Sequence, residues 1–137
     1  MKKQWGLTRK ILNGEKTIET RWYKARYAPW NRIRKGDTVY FKDTGETVTV
    51  KARVKKVEQY NNLDAQKIQN ILKKYGHADL GTIGIEDAVL EYVNGKKYCV
   101  AIYLEKPQAI ERFEIDKSGY GMMSAWLCVD DINEIKI

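Results

Sequence analysis

Histidine occurs once in this chain, at His77, and cysteine only twice, at Cys99 and Cys128. That removes metal sites built on histidine clusters, and neither cysteine has the paired spacing of a zinc site. His77 stands in a Gly-His-Ala-Asp context after a predicted helix and reads as a loop residue, which leaves a Ser-His-Asp triad without support. Both cysteines lie in apolar, strand-like runs and read as reduced, buried thiols. No apolar run reaches the roughly 18 residues of a membrane-spanning helix. The basic start, Met1-Lys2-Lys3-Gln4-Trp5, has no apolar signal core, so a cytoplasmic location is expected. Repeats, low-complexity tracts and linkers are also lacking. The 137 residues, 43% of them hydrophobic, are therefore expected to form one domain over 1–137. Nothing in them asks for a metal or a cofactor.

Charge is present in quantity and unevenly placed. Residues 1–60 carry a net +10 and residues 61–137 a net −3. A basic face in the first half suits a polyanion, although a merely solubilising surface has the same composition. The run Trp22-Tyr23-Lys24-Ala25-Arg26-Tyr27-Ala28-Pro29-Trp30-Asn31-Arg32 interleaves four aromatic residues with basic ones. Such a loop can stack bases and neutralise phosphates together, or its tryptophans can simply close the end of a barrel. Arg26, Arg32, Arg34 and Lys35 are the candidate phosphate contacts, and Trp22 and Trp30 the candidate stacking residues.

Periodicity lays out the elements. Trp5–Leu12 is a short helix with Leu7, Ile11 and Leu12 available to a core, and Gly14 is its stop. Arg34-Lys35-Gly36-Asp37 is a turn, Thr38–Lys42 a strand, Asp43-Thr44-Gly45 a hairpin turn and Thr47–Val57 a long strand. In that strand Val48, Val50, Ala52 and Val54 face inward, while Thr49, Lys51, Arg53 and Lys55 face outward. Asn61 or Asn62 caps a helix reaching about Tyr75, with an apolar stripe of Leu63, Ile68, Ile71, Leu72 and Tyr75 and Gly76 as its end. Ile85–Val93 has helical spacing, with a strand pair around Asn94-Gly95 as the competing reading. Lys97–Leu104 is a strand ended by Pro107, Ala109–Ile115 another, and Ser118-Gly119-Tyr120-Gly121 a flexible turn. Met123–Val129 and Ile132–Ile137 complete the strands. The order predicts an α+β domain with a small, strongly bent sheet or pseudo-barrel and helices packed at its openings.

The most unusual stretch is Asn13–Arg21, Asn-Gly-Glu-Lys-Thr-Ile-Glu-Thr-Arg. From Lys16 it turns strand-like, with Thr17, Glu19 and Arg21 on one face and Lys16, Ile18 and Thr20 on the other. A lysine at the turn and a Glu/Arg pair on one face can form a compact charged site. Gly14-x-Lys16-x-x-Glu19-x-Arg21, followed by Lys35-Gly36-Asp37-x-Val39-x-Phe41, resembles the signature of ASCH domains, members of the PUA-like superfamily. Gly121-Met122-Met123-Ser124-Ala125-Trp126 is similar to runs in small prokaryotic PUA-like proteins. The resemblance implies a cleft between barrel and first helix that holds Lys16, Glu19 and Arg21, with Ser124 and Trp126 nearby.

Two functions follow. The resemblance implies RNA binding, with a single or modified base held in an aromatic-walled cleft and phosphates on the basic residues. It equally implies an amidohydrolase acting on N4-acetylcytidine-like nucleosides through a lysine, a threonine nucleophile and a glutamate. Lys16 matches the lysine, Glu19 stands where the threonine belongs, and the glutamate finds no counterpart. Glu19 as general base with Lys16 or Arg21 on an oxyanion is a variant of that chemistry, and ribonuclease activity is a further one. Binding is preferred, because the basic-aromatic content is present and the catalytic set is incomplete. The expected partner is RNA or a nucleotide-like ligand, with no membrane. A monomer is favoured while the assembly state stays open.

Overall fold

β3, Val48–Tyr60, and β4, Tyr98–Phe113, are long antiparallel partners that form the middle of the sheet, which has four strands among the described residues. β1, Ile18–Tyr23, flanks β4 and β2, Thr38–Lys42, flanks β3, so the order is β1-β4-β3-β2, antiparallel throughout. This computed structural model describes residues 6–26, 30–43, 45–80, 93–116, 129 and 131–137, without the side chains of Leu7 and of 76–80. A helix sits on each face, α1, Leu7–Leu12, and α2, Ala65–Leu80. The sheet is a curled half-barrel, and the fold is an α+β pseudo-barrel as the pattern predicts.

The alternation in β3 works as expected: Val48, Val50, Ala52 and Val54 are all buried. Val50, Ala52 and Val54 form the core beneath α1 with Phe41, Val39, Ile33, Ile11, Val100, Ile102 and Leu104. Fully burying a side chain such as Val54 or Ile102 contributes about 1.5–3 kcal/mol. Cys99, Ala101, Ile18 and Trp22 face the other way, onto the α2 stripe of Ile68, Ile71, Leu72 and Tyr75. Cys99 is fully buried in this second core.

Bulges curl the sheet. The β3/β4 register shifts three times, between Val48 and Val50, Lys51 and Arg53, and Val54 and Lys56. The last shift exchanges the faces of β3, because side chains alternate with a period of two. Even-numbered residues point into the α1 core up to Val54, whereas beyond the bulge Val57 packs there and Tyr60 packs on the α2 side. The second shift corrects the expectation that Pro107 ends a strand. Lys106 takes a left-handed φ of 51°, and β4 runs through Pro107, which has no N–H to give, to Phe113.

Other corrections are local. Asp64, not Asn61 or Asn62, caps α2, its Oδ1 accepting from Lys67 N–H at 2.8 Å. The helix continues through Gly76 and His77 to Leu80, so His77 is helical rather than in a loop. Leu12 is exposed, since α1 presents Ile11 to the core and ends at once. Ile132–Glu134 is a 3₁₀ turn, and the expected last strand is reduced to a single bridge, Ile115 to Lys136. The predicted helix Ile85–Val93 (Val93 apart), the turn Ser118–Gly121 and the strand Met123–Val129 (Val129 apart) lie outside the described residues, as does Cys128.

A polar cluster ties α2 to the sheet. Glu58 accepts from Tyr60 and Tyr75 at 2.7 and 2.8 Å and from Tyr103 at 3.1 Å. Lys56 Nζ lies 2.8 Å from its other edge and Lys74 Nζ 3.5 Å away. The Lys56 bond first, then the tyrosine hydroxyls, hold the Glu58 carboxyl far below its ordinary 4.5. Burial first, then its hydrogen-bond partners, pushes the Tyr75 phenol well above its usual range. The folded value of Glu58 is the lower one, so its contribution is full above about pH 4.5 and is lost as pH falls below that. Glu58→Gln is therefore expected to lower the thermal midpoint at pH 7 by about 3–6 °C. The variant should also lose less stability than the wild type between pH 5 and about 3, as read by thermal melts across pH.

Candidate nucleic-acid interface

Gly14, at φ 85°, ends α1, and the chain is pinned by Lys16 N–H donating to Lys10 O at 2.9 Å. β1 starts only at Ile18, so strand alternation does not govern Lys16. Its side chain, 1% exposed, runs inward to donate from Nζ to Ile18 O at 2.8 Å and to lie 3.4 Å from Glu19 Oε2. Arg21 Nη1 lies 3.6 Å from Glu19 Oε1, and Arg21 Nε donates to Tyr23 Oη at 3.4 Å. Glu19 and Arg21 pair with Ile102 and Val100 of β4, which places the cluster on the α1 side of the sheet. Lys16, Glu19 and Arg21 are thus brought together. Glu19 Oε2 is buried and accepts no hydrogen bond from a described residue, which leaves an acceptor beside two cations.

The two threonines near this cluster do not join it. Thr17 is exposed, and Thr20 lies on the α2 side, where its hydroxyl accepts from the Trp22 indole N–H at 3.0 Å. Ser124 and Trp126 lie outside the described residues.

The basic residues collect elsewhere. A turn closed by Asp37 N–H to Arg34 O, with Gly36 at φ 93°, sets Arg34 and Lys35 beside β3. There they border an open groove of about 900 Å³ together with Lys55, Lys56, Val57, Gln59 and Glu105. Arg34, Lys35 and Lys55 are exposed, and none forms an ion pair with another described residue. Lys56 is committed to Glu58. Arg32 is exposed but does not line the groove, and Arg26 lies over the Tyr98 ring at 5.6 Å.

The tryptophans part company. Trp22 is 3% exposed and belongs to the α2 core, so it offers no face to a base, and the stacking expectation fails there. It alternates with Ile18 and Thr20 in β1, and that face is covered by a helix. Trp30 is half-buried, meets Tyr98 edge-on at 5.1 Å, and borders a second depression of about 560 Å³ with Gln59, Tyr60, Asn61, Leu63, Lys67, Asn70 and Ile71. Sequence reasoning included Lys55 in an outward basic row and missed Gln59, Asn61 and Asn70. Isolated amides in polar contexts carry no periodic signal.

No family model and no curated protein matches the chain. Solved structures do. The crystal structure of ASCH from Zymomonas mobilis superposes with a TM-score of 0.60 at 19% identity, covering 80% of this chain and 67% of that one. A mutant form of the same protein gives a TM-score of 0.61 at 18% identity, covering 83% and 71%. The chain therefore has the fold of these ASCH structures.

Removing Lys16 leaves the buried Glu19 carboxylate with Arg21, 3.6 Å away, as its one cation among the described residues. Lys16→Met is expected to cost about 3 kcal/mol or more in urea denaturation, and Lys16→Met combined with Glu19→Gln to recover part of that loss. Additive losses would show that the two side chains are not coupled.

Proposed function

We propose that the domain binds single-stranded RNA, with phosphates along the groove of Arg34, Lys35 and Lys55 and a base against Trp30. The observation that carries this reading is the set of exposed cations without ion-pair partners among the described residues, beside a half-exposed indole. Unneutralised cations in a row gain by displacing counterions from a phosphate backbone, and an aromatic wall adds sequence-tolerant stacking. The PUA-like fold supports the same reading, as the sequence resemblance implies.

A second reading, a nucleoside-sized ligand or acylated-nucleoside substrate at Lys16–Glu19–Arg21, draws on the open Glu19 Oε2. That oxygen would accept an N–H from a base or act as a general base. The threonine route has less support, because Thr17 is exposed and Thr20 is turned to the opposite face. If this reading holds, Lys16→Ala abolishes deacylation of N4-acetylcytidine by a protein shown to be folded, and retained turnover excludes it.

Fluorescence anisotropy with short single-stranded RNAs across a salt series tests the first reading. Arg34→Ala and Lys35→Ala should each reduce the slope of log affinity against log salt by about 0.7, at every sequence. Arg32→Ala, outside the groove, should do less. Trp30→Ala should weaken single-strand binding more than duplex binding. Equal affinity in all these variants would sink the proposal.

A further inference from the structure

The groove and the second depression meet at Gln59, which borders both. A reciprocal amide pair fixes that junction. Asn31 N–H donates to Gln59 Oε1 at 2.7 Å, and Gln59 Nε2 donates to Asn31 Oδ1 at 2.9 Å. Asn31 adopts a left-handed φ of 56°, a conformation that asparagine tolerates better than most residues with a side chain, and the two bonds hold it there. Trp30 precedes it and Arg34 follows closely, so the lock that seats the indole also sets the start of the cationic turn.

Beyond the lock, the lining of the depression differs from that of the groove. Trp30, Leu63 and Ile71 give apolar walls, and Asn61, Asn70 and Gln59 give carboxamides. Among the described residues no carboxylate lines it, and Lys67 is the one cation that does. Lys67 Nζ donates to Asn62 O at 3.2 Å, and Asn70 Oδ1 accepts from Gln66 at 3.2 Å. Its volume, about 560 Å³, falls within the roughly 300–1,000 Å³ of small-ligand sites. Cations find no counter-charge there and a purely aliphatic group would strand the amides. A flat heterocycle with donors and acceptors on its edge satisfies both walls and rim. A carboxamide matches such an edge two bonds at a time, best with the adjacent N7 acceptor and N6 donor of adenine.

We infer that this depression is a base-reading subsite, in which one unstacked nucleobase of the bound strand lies against Trp30 and is read by Asn61 and Asn70, with adenine preferred. The inference rests on the RNA-binding reading and extends it from charge to sequence. The bulge between Val54 and Lys56 makes the arrangement possible, since it turns Gln59 toward the Trp30 loop while Tyr60 faces α2.

The test uses the full chain and labelled ten-nucleotide oligoadenylate, oligouridylate and oligocytidylate. Wild-type protein is expected to bind oligoadenylate about tenfold more tightly than the others. Asn61→Ala with Asn70→Ala should bring oligoadenylate down to the level of the others without changing the salt slope. Arg34→Ala with Lys35→Ala should lower the slope for all three oligomers and keep their ratio. Asn61 and Asn70 are exposed, and alanine suits the helical position of Asn70, so the paired variant is expected to fold. Binding with a normal salt slope but no preference, or a preference that survives in the amide variant, overturns this inference and leaves RNA binding standing. No binding of any oligomer at low salt overturns both.

Discussion

The pairing of β3 with β4 is the constraint on which the rest depends. Each is more than twice as long as a typical strand, and a flat ladder of that length would leave both helices without a curved surface to cover. Three register shifts bend it, and each does something further. The one at Lys106–Pro107 lets β4 continue past a residue that cannot donate. The one after Val54 turns Glu58 to the tyrosines that hold α2 and leaves Val57 in the α1 core. A single extra residue thus separates a packing role from a polar one on the same strand.

Charge is treated in two opposite ways. Lys16, Glu19 and Arg21 are drawn into the sheet edge and satisfy one another, apart from one carboxylate oxygen. Arg34, Lys35 and Lys55 remain in solvent without ion-pair partners among the described residues. Buried ion pairs lose much of their Coulomb gain to desolvation, whereas exposed cations keep theirs for an incoming polyanion. This difference is why the groove, and not the motif from which the resemblance starts, carries the proposed binding.

Much of the fold was legible from the residues. Val48, Val50, Ala52 and Val54 alternate strictly, and the stripe from Leu63 to Tyr75 has helical spacing, so burial followed pattern in both. Thr38–Lys42 and the turn before it were marked by Gly36 and Asp37. Pro107 and Gly76 misled in the same way. Each is a breaker by local preference, and each sits inside an element because bulge geometry or packing outweighs that preference. Trp22 misled through its neighbours, since a basic loop begins just after the strand that buries it.

The sequence by itself determined the types of α1, α2, β1, β2 and β3, the apolar faces of β3 and α2 and the excess of positive charge in the first half, because periodicity and composition are local properties. Only the tertiary structure decided that Lys16 reaches Glu19, that Lys55 joins Arg34 and Lys35, and that Trp30 rather than Trp22 stays accessible. Those outcomes depend on where α1 ends, on where β3 bulges and on which face α2 covers. The first follows from a local turn pinned by Lys16 N–H to Lys10 O, whereas the bulge and the face that α2 covers are set by contacts between segments far apart in the chain.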